Sequence, residues 1–228
     1  MAETVEKLIA AMEAEARRAP FPVDADAYQS AGIDPSTCLL YAGSLDAEVG
    51  FFARDLGRDE VRAREPLIGQ AGRLVREGVY RALGHEGKPT RAQLDEARSH
   101  VLLTNTVPWK PPGNKAYGAA VKNRFRPYMA RFLTHHWRGS FLITLGTEAF
   151  EYFTAFGDRA ALEAFWKQPD KWEREIAVTV TSDGADGPEE KTLTLAPLPH
   201  PSPLNKKFYP LFPGMLDARL GRRLRARR

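Results

Sequence analysis

His200-Pro201-Ser202-Pro203-Leu204 gathers an imidazole, a hydroxyl, two ring-stiffened positions and an apolar side chain into five residues. The apolar run Leu193 to Leu198 precedes it, so the group reads as a loop leaving a strand. An imidazole can donate a hydrogen bond to a leaving group that gathers negative charge. A serine hydroxyl can hold a phosphate. The prolines limit the entropy lost on binding, and a leucine can wedge into a base stack vacated by an extruded nucleotide. Together the parts suit extraction of a base from DNA and cleavage of its bond to the sugar. Taken alone, a His-Pro-Ser turn also fits a surface loop with a solvent-facing histidine. The chemistry needs two further parts: a carboxylate to balance an oxocarbenium-like sugar and orient water, and polar groups that read the base edge.

The elements that must hold such a loop follow from periodicity. Residues 3–19 read as an amphipathic helix, with Val5, Leu8, Ile9 and Met12 on one face and Pro20 and Pro22 as its stop. Cys38 to Ala42 reads as a strand that exits through Gly43-Ser44-Leu45-Asp46, and the charge-rich stretch 50–64 as a helix or long loop. Helices are expected from Gly72 to Leu83 and over 90–98, then a strand at Val101–Asn105 and a proline-rich loop from Pro108 to Lys115. A long helix over 117–137, interrupted at Pro127, precedes a strand at Ser140–Gly146. Helices over Thr147–Ala155 and 158–168 lead to two strands, Ile176–Thr181 and Lys191–Leu195, joined by a polar turn. Alternating strands and helices predict an α/β fold, a three-layer α/β/α sandwich on a mostly parallel sheet. Ligands of such sheets bind beyond the carboxyl ends of the strands, where the segments after Ala42, Leu103 and Leu195 are expected to converge.

Composition narrows the class. Of 228 residues, 43% are apolar and 27% charged, which suits one sizeable domain. No run approaches the ~18 apolar residues of a membrane span. The first 18 residues are acidic and lack an apolar signal core, and Cys38 is the only cysteine, so a cytoplasmic protein without a disulfide or a cysteine-bound cluster is expected. Of 33 basic residues, six are arginines within 219–228, leaving 27 against 29 acids for the rest. That end reads as a solvated terminus or a phosphate-binding arm. The five histidines show no ligand spacing beyond adjacent His135-His136, which argues against a metal-dependent hydrolase, so neither a metal nor a cofactor is expected.

His200 to Leu204 resembles the second motif of the uracil-DNA glycosylase superfamily. Glu65-Pro66-Leu67-Ile68-Gly69-Gln70-Ala71-Gly72-Arg73-Leu74 is similar to the segment after the first motif in its thermophile-type branch, and Leu103 to Lys115 resembles that branch's base-reading strand and loop. Leu142-Ile143-Thr144-Leu145-Gly146 is like its next core strand, and the matches are collinear from about residue 39 to 220. The resemblance implies that His200 stabilises the departing base and Asn105 reads it. It implies DNA contacts from Gly69, Gln70, Gly72, Lys115, Ser202, Pro203, Leu204 and Lys206. The chain is then expected to divide into residues 1–22 as a helix packed on a glycosylase-like domain at 23–218, with an arginine-rich tail at 219–228. The partner is DNA, single-stranded or with a nucleotide flipped from a duplex, and a monomer is expected.

Four departures from the family pattern bear on substrate. The branch carries an iron–sulfur cluster on four cysteines; here Trp109 stands at one such place, where a packed aromatic can replace the cluster's structural role. The first motif should read Gly, an acid or amide, any residue, then Pro, but Gly43-Ser44-Leu45-Asp46-Ala47-Glu48 leaves the water-activating place to Asp46, Glu48 or Glu65. Leu67 stands where a phenylalanine stacks on uracil, and Ala47 where the most uracil-specific branch has a tyrosine that bars 5-substituents. Gly43, Ala47, Leu67 and Asn105 would then border the base. The expectation is a monofunctional DNA glycosylase for a modified or damaged pyrimidine, such as glucosylated hydroxymethylcytosine of phage DNA in antiviral defence. Uracil repair and a catalytically silent DNA-binding module are the alternatives.

Overall fold

A computed structural model describes residues 3–113, 115–184, 187–221 and 223–224. Asn114 of the proline-rich loop lies outside the described residues, as do Arg222 and residues 225–228 of the arginine-rich end. Among the described residues six strands form one sheet: β1 (Tyr41–Gly43), β2 (Val49–Ala53), β3 (Leu102–Asn105), β4 (Phe141–Thr144), β5 (Ile176–Gly184) and β6 (Gly187–Leu195), in the order β1-β3-β2-β4-β6-β5. The four inner strands run parallel, and the two edge strands run antiparallel to their neighbours.

Period-two alternation divides the inner strands between two cores. Val49, Phe51 and Ala53 face one side with Leu103 and Ile143; there α4 (Gln70–Ala82), α5 (Arg91–Arg98) and α9 (Phe212–Leu220) cover the sheet. Phe52, Leu102 and Leu142 face the other side, under α1 (Val5–Arg18), α2 (Ala25–Ser30), α6 (Ala119–Arg131), α7 (Thr147–Glu151) and α8 (Arg159–Trp166). Phe51 and Phe52 are fully buried on opposite faces, each contributing roughly 1.5–3 kcal/mol. The expected three-layer α/β sandwich is therefore the observed one.

Several boundaries differ from the sequence reading. The stretch expected as a helix or long loop contains β2, the strand at the centre of the parallel set, followed by the short α3 (Arg58–Ala63). The expected strand at Cys38–Ala42 shifts to Tyr41–Gly43 and lies at the antiparallel edge. Pro127 sits inside α6, which continues through it to Arg131 and ends in a π-helical turn at Phe132–His136. His135 of that turn meets Ser182 at 3.0 Å and Glu189 at 2.9 Å, fastening the β5–β6 hairpin.

Near both ends, the described residues are built into the body. Val5, Leu8, Met12 and Ala16 of α1 are buried in the larger core, and Arg124 of α6 grips Glu15 at 2.8 Å. Arg219 is buried and donates to the carbonyls of Glu173 and Arg174 at 3.2 and 2.6 Å. Arg223 reaches Glu175 at 3.4 Å and lies over the ring of Phe141. These two arginines hold the fold together and are not part of a loose phosphate-binding arm.

Candidate active site

The carboxyl end of the parallel sheet is assembled from three consecutive backbone devices. β2 and β3 run in register, with Ala53 opposite Asn105. Beyond them the Thr106 N–H donates to the carbonyls of Ala53 and Arg54 at 2.9 and 3.2 Å, which bends the chain after β2 outward. Next to β4, the chain leaving β6 stays paired: Leu198 N–H donates to Thr144 O at 2.9 Å, and Gly146 N–H to Leu198 O at 2.8 Å. Gly146 has φ +89°, and a Cβ there would stand 2.9 Å from the Cβ of His200. A glycine at this place lets the histidine loop close down on the end of β4.

Asn105 is buried beside β2. Its Nδ2 donates to the Arg54 carbonyl at 2.7 Å, and its buried Oδ1 has no hydrogen-bond partner. An orphaned acceptor in such a place costs free energy unless something completes it, about 1–3 kcal/mol. It lines a pocket of about 340 Å³ shared with Arg54, Asp55, His200, Leu67 and Lys115.

Of the carboxylates lining this pocket, Glu60 and Asp55, Asp55 stands directly at the exit of β2. Its Oδ2 accepts from the Tyr117 N–H at 3.1 Å and its Oδ1 from the Thr106 hydroxyl at 3.3 Å. Burial pushes its pKa above the ordinary aspartate value, against the opposing pull of the Tyr117 N–H and of the Lys122 and Arg54 charges. Burial, helped by the positive charge of Arg54, pushes the pKa of His200 down to about 4. The imidazole is therefore neutral near pH 7, able to donate one hydrogen bond while carrying no charge.

The remaining walls are held from behind. Glu60 of α3 accepts from the N–H groups of Gly57, Ile68 and Gly69 at 2.9, 3.1 and 2.9 Å, tying the loop after β2 to the loop before α4. Between the tied points Leu67 is buried with φ +54°, a left-handed conformation that costs a leucine about 1–3 kcal/mol. Gly72 lies beneath it, where a Cβ would meet the Leu67 carbonyl oxygen at 1.7 Å. Opposite, buried Lys110 pairs with Asp24 at 3.1 Å and donates to the carbonyls of Pro111 and Gly113 at 2.9 and 2.6 Å, fixing the loop that presents Lys115. Trp109 is fully buried against Phe21 and Phe125, with ring centroids 5.5 and 4.7 Å away. An aromatic cluster thus packs around Trp109.

The structure brings together Asn105, His200, Ser202, Leu67, Gly69, Gln70 and Lys115 around the one pocket. Pro203 and Leu204 stand on the adjoining loop, with Leu204 92% exposed, and Lys206 is exposed just beyond. The Ser202 hydroxyl accepts from the Leu204 N–H at 3.3 Å, and the Asn205 amide donates to the His200 carbonyl at 3.3 Å, so the loop is internally braced. Gly72 supports the wall without lining it.

Four residues expected at the base are placed elsewhere. Gly43 ends β1, which runs antiparallel to β3 and pairs with its first residue, so its exit lies at the amino end of the parallel strands. Asp46, Ala47 and Glu48 follow there and line a separate hollow with Ser44 and His100. Asp46 pairs with Arg138 at 3.1 Å, Glu48 lies 3.9 Å from Arg223, and the Ala47 carbonyl accepts from the indole of Trp137 at 2.7 Å. Glu65, the third carboxylate considered, is committed to Arg76 at 3.1 Å and to Arg98. Sequence reasoning missed Arg54, Asp55 and Glu60. The signal was present: Val49 to Ala53 is an apolar run followed directly by Arg54-Asp55-Leu56-Gly57, a strand exit just upstream of the Glu65–Leu74 segment.

The sequence model of the Uracil DNA glycosylase superfamily matches residues 40–218. No curated protein matches the chain.

Proposed function

The chain belongs to the uracil DNA glycosylase superfamily, whose members act on DNA, and we propose that its pocket excises a modified or damaged pyrimidine by a monofunctional hydrolysis. One observation carries this reading: Asp55, Asn105 and His200, from the exits of three different strands, line the same pocket. A carboxylate, an amide with an open acceptor and a neutral imidazole suit the three tasks of excision: activating water, reading the base and stabilising the leaving base.

The pyrimidine leaves the stack, Leu204 fills the gap, and Ser202, Lys115 and the amides of the Gly69–Gln70 turn hold flanking phosphates. The Oδ1 of Asn105 accepts from a ring N3–H or an exocyclic amine of the base. The C1′–N1 bond breaks and its electron pair stays on N1, while His200 donates a hydrogen bond to the base oxygen that shares the charge. Asp55 faces the cationic sugar and takes the proton of a water whose oxygen adds to C1′. The products are the free base, reprotonated from solvent, and an abasic sugar.

The family's first motif, laid over the exit of β2, reads Ala53-Arg54-Asp55-Leu56-Gly57, with Arg54 at the acid-or-amide place, Asp55 one residue further on and Leu56 at the proline place. Gly57 then falls where the most uracil-specific branch has a tyrosine that excludes 5-substituents, and it lines the pocket. This supports a substrate with a 5-substituent, and glucosylated hydroxymethylcytosine of phage DNA, hence antiviral defence, is the reading proposed for the biological role. The experiment is release of base from single- and double-stranded oligonucleotides carrying uracil, 5-hydroxymethyluracil, hypoxanthine, xanthine or glucosylated hydroxymethylcytosine. The proposal expects release of a 5-substituted pyrimidine and its loss in His200→Ala. Rapid release of uracil alone would return the protein to uracil repair. No release by wild type, with DNA binding unchanged in His200→Ala, would make it a binding module.

A further inference from the structure

Charge in the pocket is unevenly supplied. The leaving base acquires a full negative charge as its bond breaks. His200 offers it only a neutral donor, since burial keeps the imidazole uncharged near pH 7. Glu60 is occupied by three backbone N–H groups, and Asp55 carries the wrong sign to help the base. Among the described residues two cations line the pocket, Arg54 and Lys115. Lys115 is exposed on the outer loop, a position suited to a phosphate, whereas Arg54 is half-buried.

The place of Arg54 is fixed by its backbone. Its carbonyl accepts from Asn105 Nδ2 at 2.7 Å and from the Thr106 N–H at 3.2 Å, so the residue is locked to the group that would read the base. The next residue is Asp55, and Arg54 lines the pocket together with Asp55 and His200. A guanidinium keeps its charge at every pH at which the fold survives and presents several donors in one plane.

Resting on the glycosylase reading above, we propose that Arg54 is a second catalytic group, the fixed positive charge that stabilises the departing base anion beside the hydrogen bond from His200. The bond-breaking step is unchanged: the C1′–N1 electron pair moves onto the ring, and Arg54 neutralises the charge without giving up a proton. Division of labour follows. The histidine supplies direction, and the arginine supplies charge.

The test is single-turnover release from oligonucleotides carrying uracil, 5-fluorouracil, 5-bromouracil and 5-hydroxymethyluracil, a set that spans leaving-group acidity. Arg54→Ala is expected to slow the poorest leaving group by about 10²-fold and the best much less, steepening the dependence of rate on acidity. Arg54→Lys restores charge and is expected to recover most of the wild-type slope. Equal slowing of every base in Arg54→Ala, or an alanine variant as fast as wild type, overturns the role of Arg54 and leaves the glycosylase reading standing. Release of no base by wild type, from this set or from glucosylated hydroxymethylcytosine, overturns that reading and this inference with it. Circular dichroism of both variants separates loss of fold from loss of charge.

Discussion

Asp55 can act on water only when ionised, and its surroundings decide when that is. Burial raises its pKa, so the ionised fraction falls as pH drops through a value above the ordinary ~4 of aspartate. His200 titrates only near pH 4, and its neutral form persists through the higher part of that range. The acid limb of kcat/KM is expected to shift above the ordinary aspartate range to the extent that Asp55 carries it. Measured against pH, Asp55→Asn should leave a slow, flat residue of activity; a wild-type-shaped limb in that variant would assign the titration to another group. Asn105, His200 and Ser202 were legible in the sequence because each sits in a motif of unusual chemistry. Asp55 was not, because an aspartate inside Arg54-Asp55-Leu56-Gly57-Arg58-Asp59-Glu60 looks like any solvated acid until the strand before it is seen.

That strand explains most of what could not be read at the level of elements. β2 is only five residues long and contains Gly50, so it lacks the β-branched run of a buried parallel strand. Gly50 is there because Leu142 and Trp137 pack where its side chain would be, at 2.8 and 3.0 Å from a built Cβ. The neighbouring run ending at Ala42 is more apolar, yet β1 is antiparallel and delivers its exit to the wrong end of the sheet. Hydrophobic periodicity reports that a strand exists and is silent on its direction, which is why the acids at 46 and 48 were drawn to the base. α1, α4 to α8, β3, β4 and the β6 exit followed their patterns closely, whereas α2 and α9 had no counterpart in the sequence reading. Glu60 shows how elements hold the site: one carboxylate satisfies three N–H groups on two loops. Glu60→Ala should cost about 2–4 kcal/mol, read by urea unfolding, because hydrogen bonds to a charged group are each worth about 1.5–3 kcal/mol and water replaces part of the loss. The same variant should lower base release more than Asp59→Ala on the same helix; equal effects would deny Glu60 its role in placing the loops.

At the scale of the whole molecule, the proposed DNA face is the carboxyl end of the sheet, and the amino end carries a separate hollow and the exposed Asp46–Arg138 ion pair. Net charge is +4, a modest field, so phosphate grip must come from a few placed cations. Lys115 beside the pocket and Lys206 beyond Leu204 are exposed at that face. Removing each lysine should reduce the salt dependence of DNA affinity, lowering the slope of log K against log salt by about one for each phosphate no longer neutralised. Binding isotherms between low and physiological salt measure this. An unchanged slope in the double variant Lys115→Ala/Lys206→Ala would move the phosphate grip elsewhere on the surface.

The exit of β2, and not the exit of β1, should carry the water-activating carboxylate. Single-turnover release of the base that wild type cleaves fastest compares the two directly. Asp55→Asn is expected to fall by about 10²–10⁴-fold, while Asp46→Asn/Glu48→Gln keeps the wild-type rate. A fully active Asp55→Asn, or a dead Asp46→Asn/Glu48→Gln that still folds, would contradict the account.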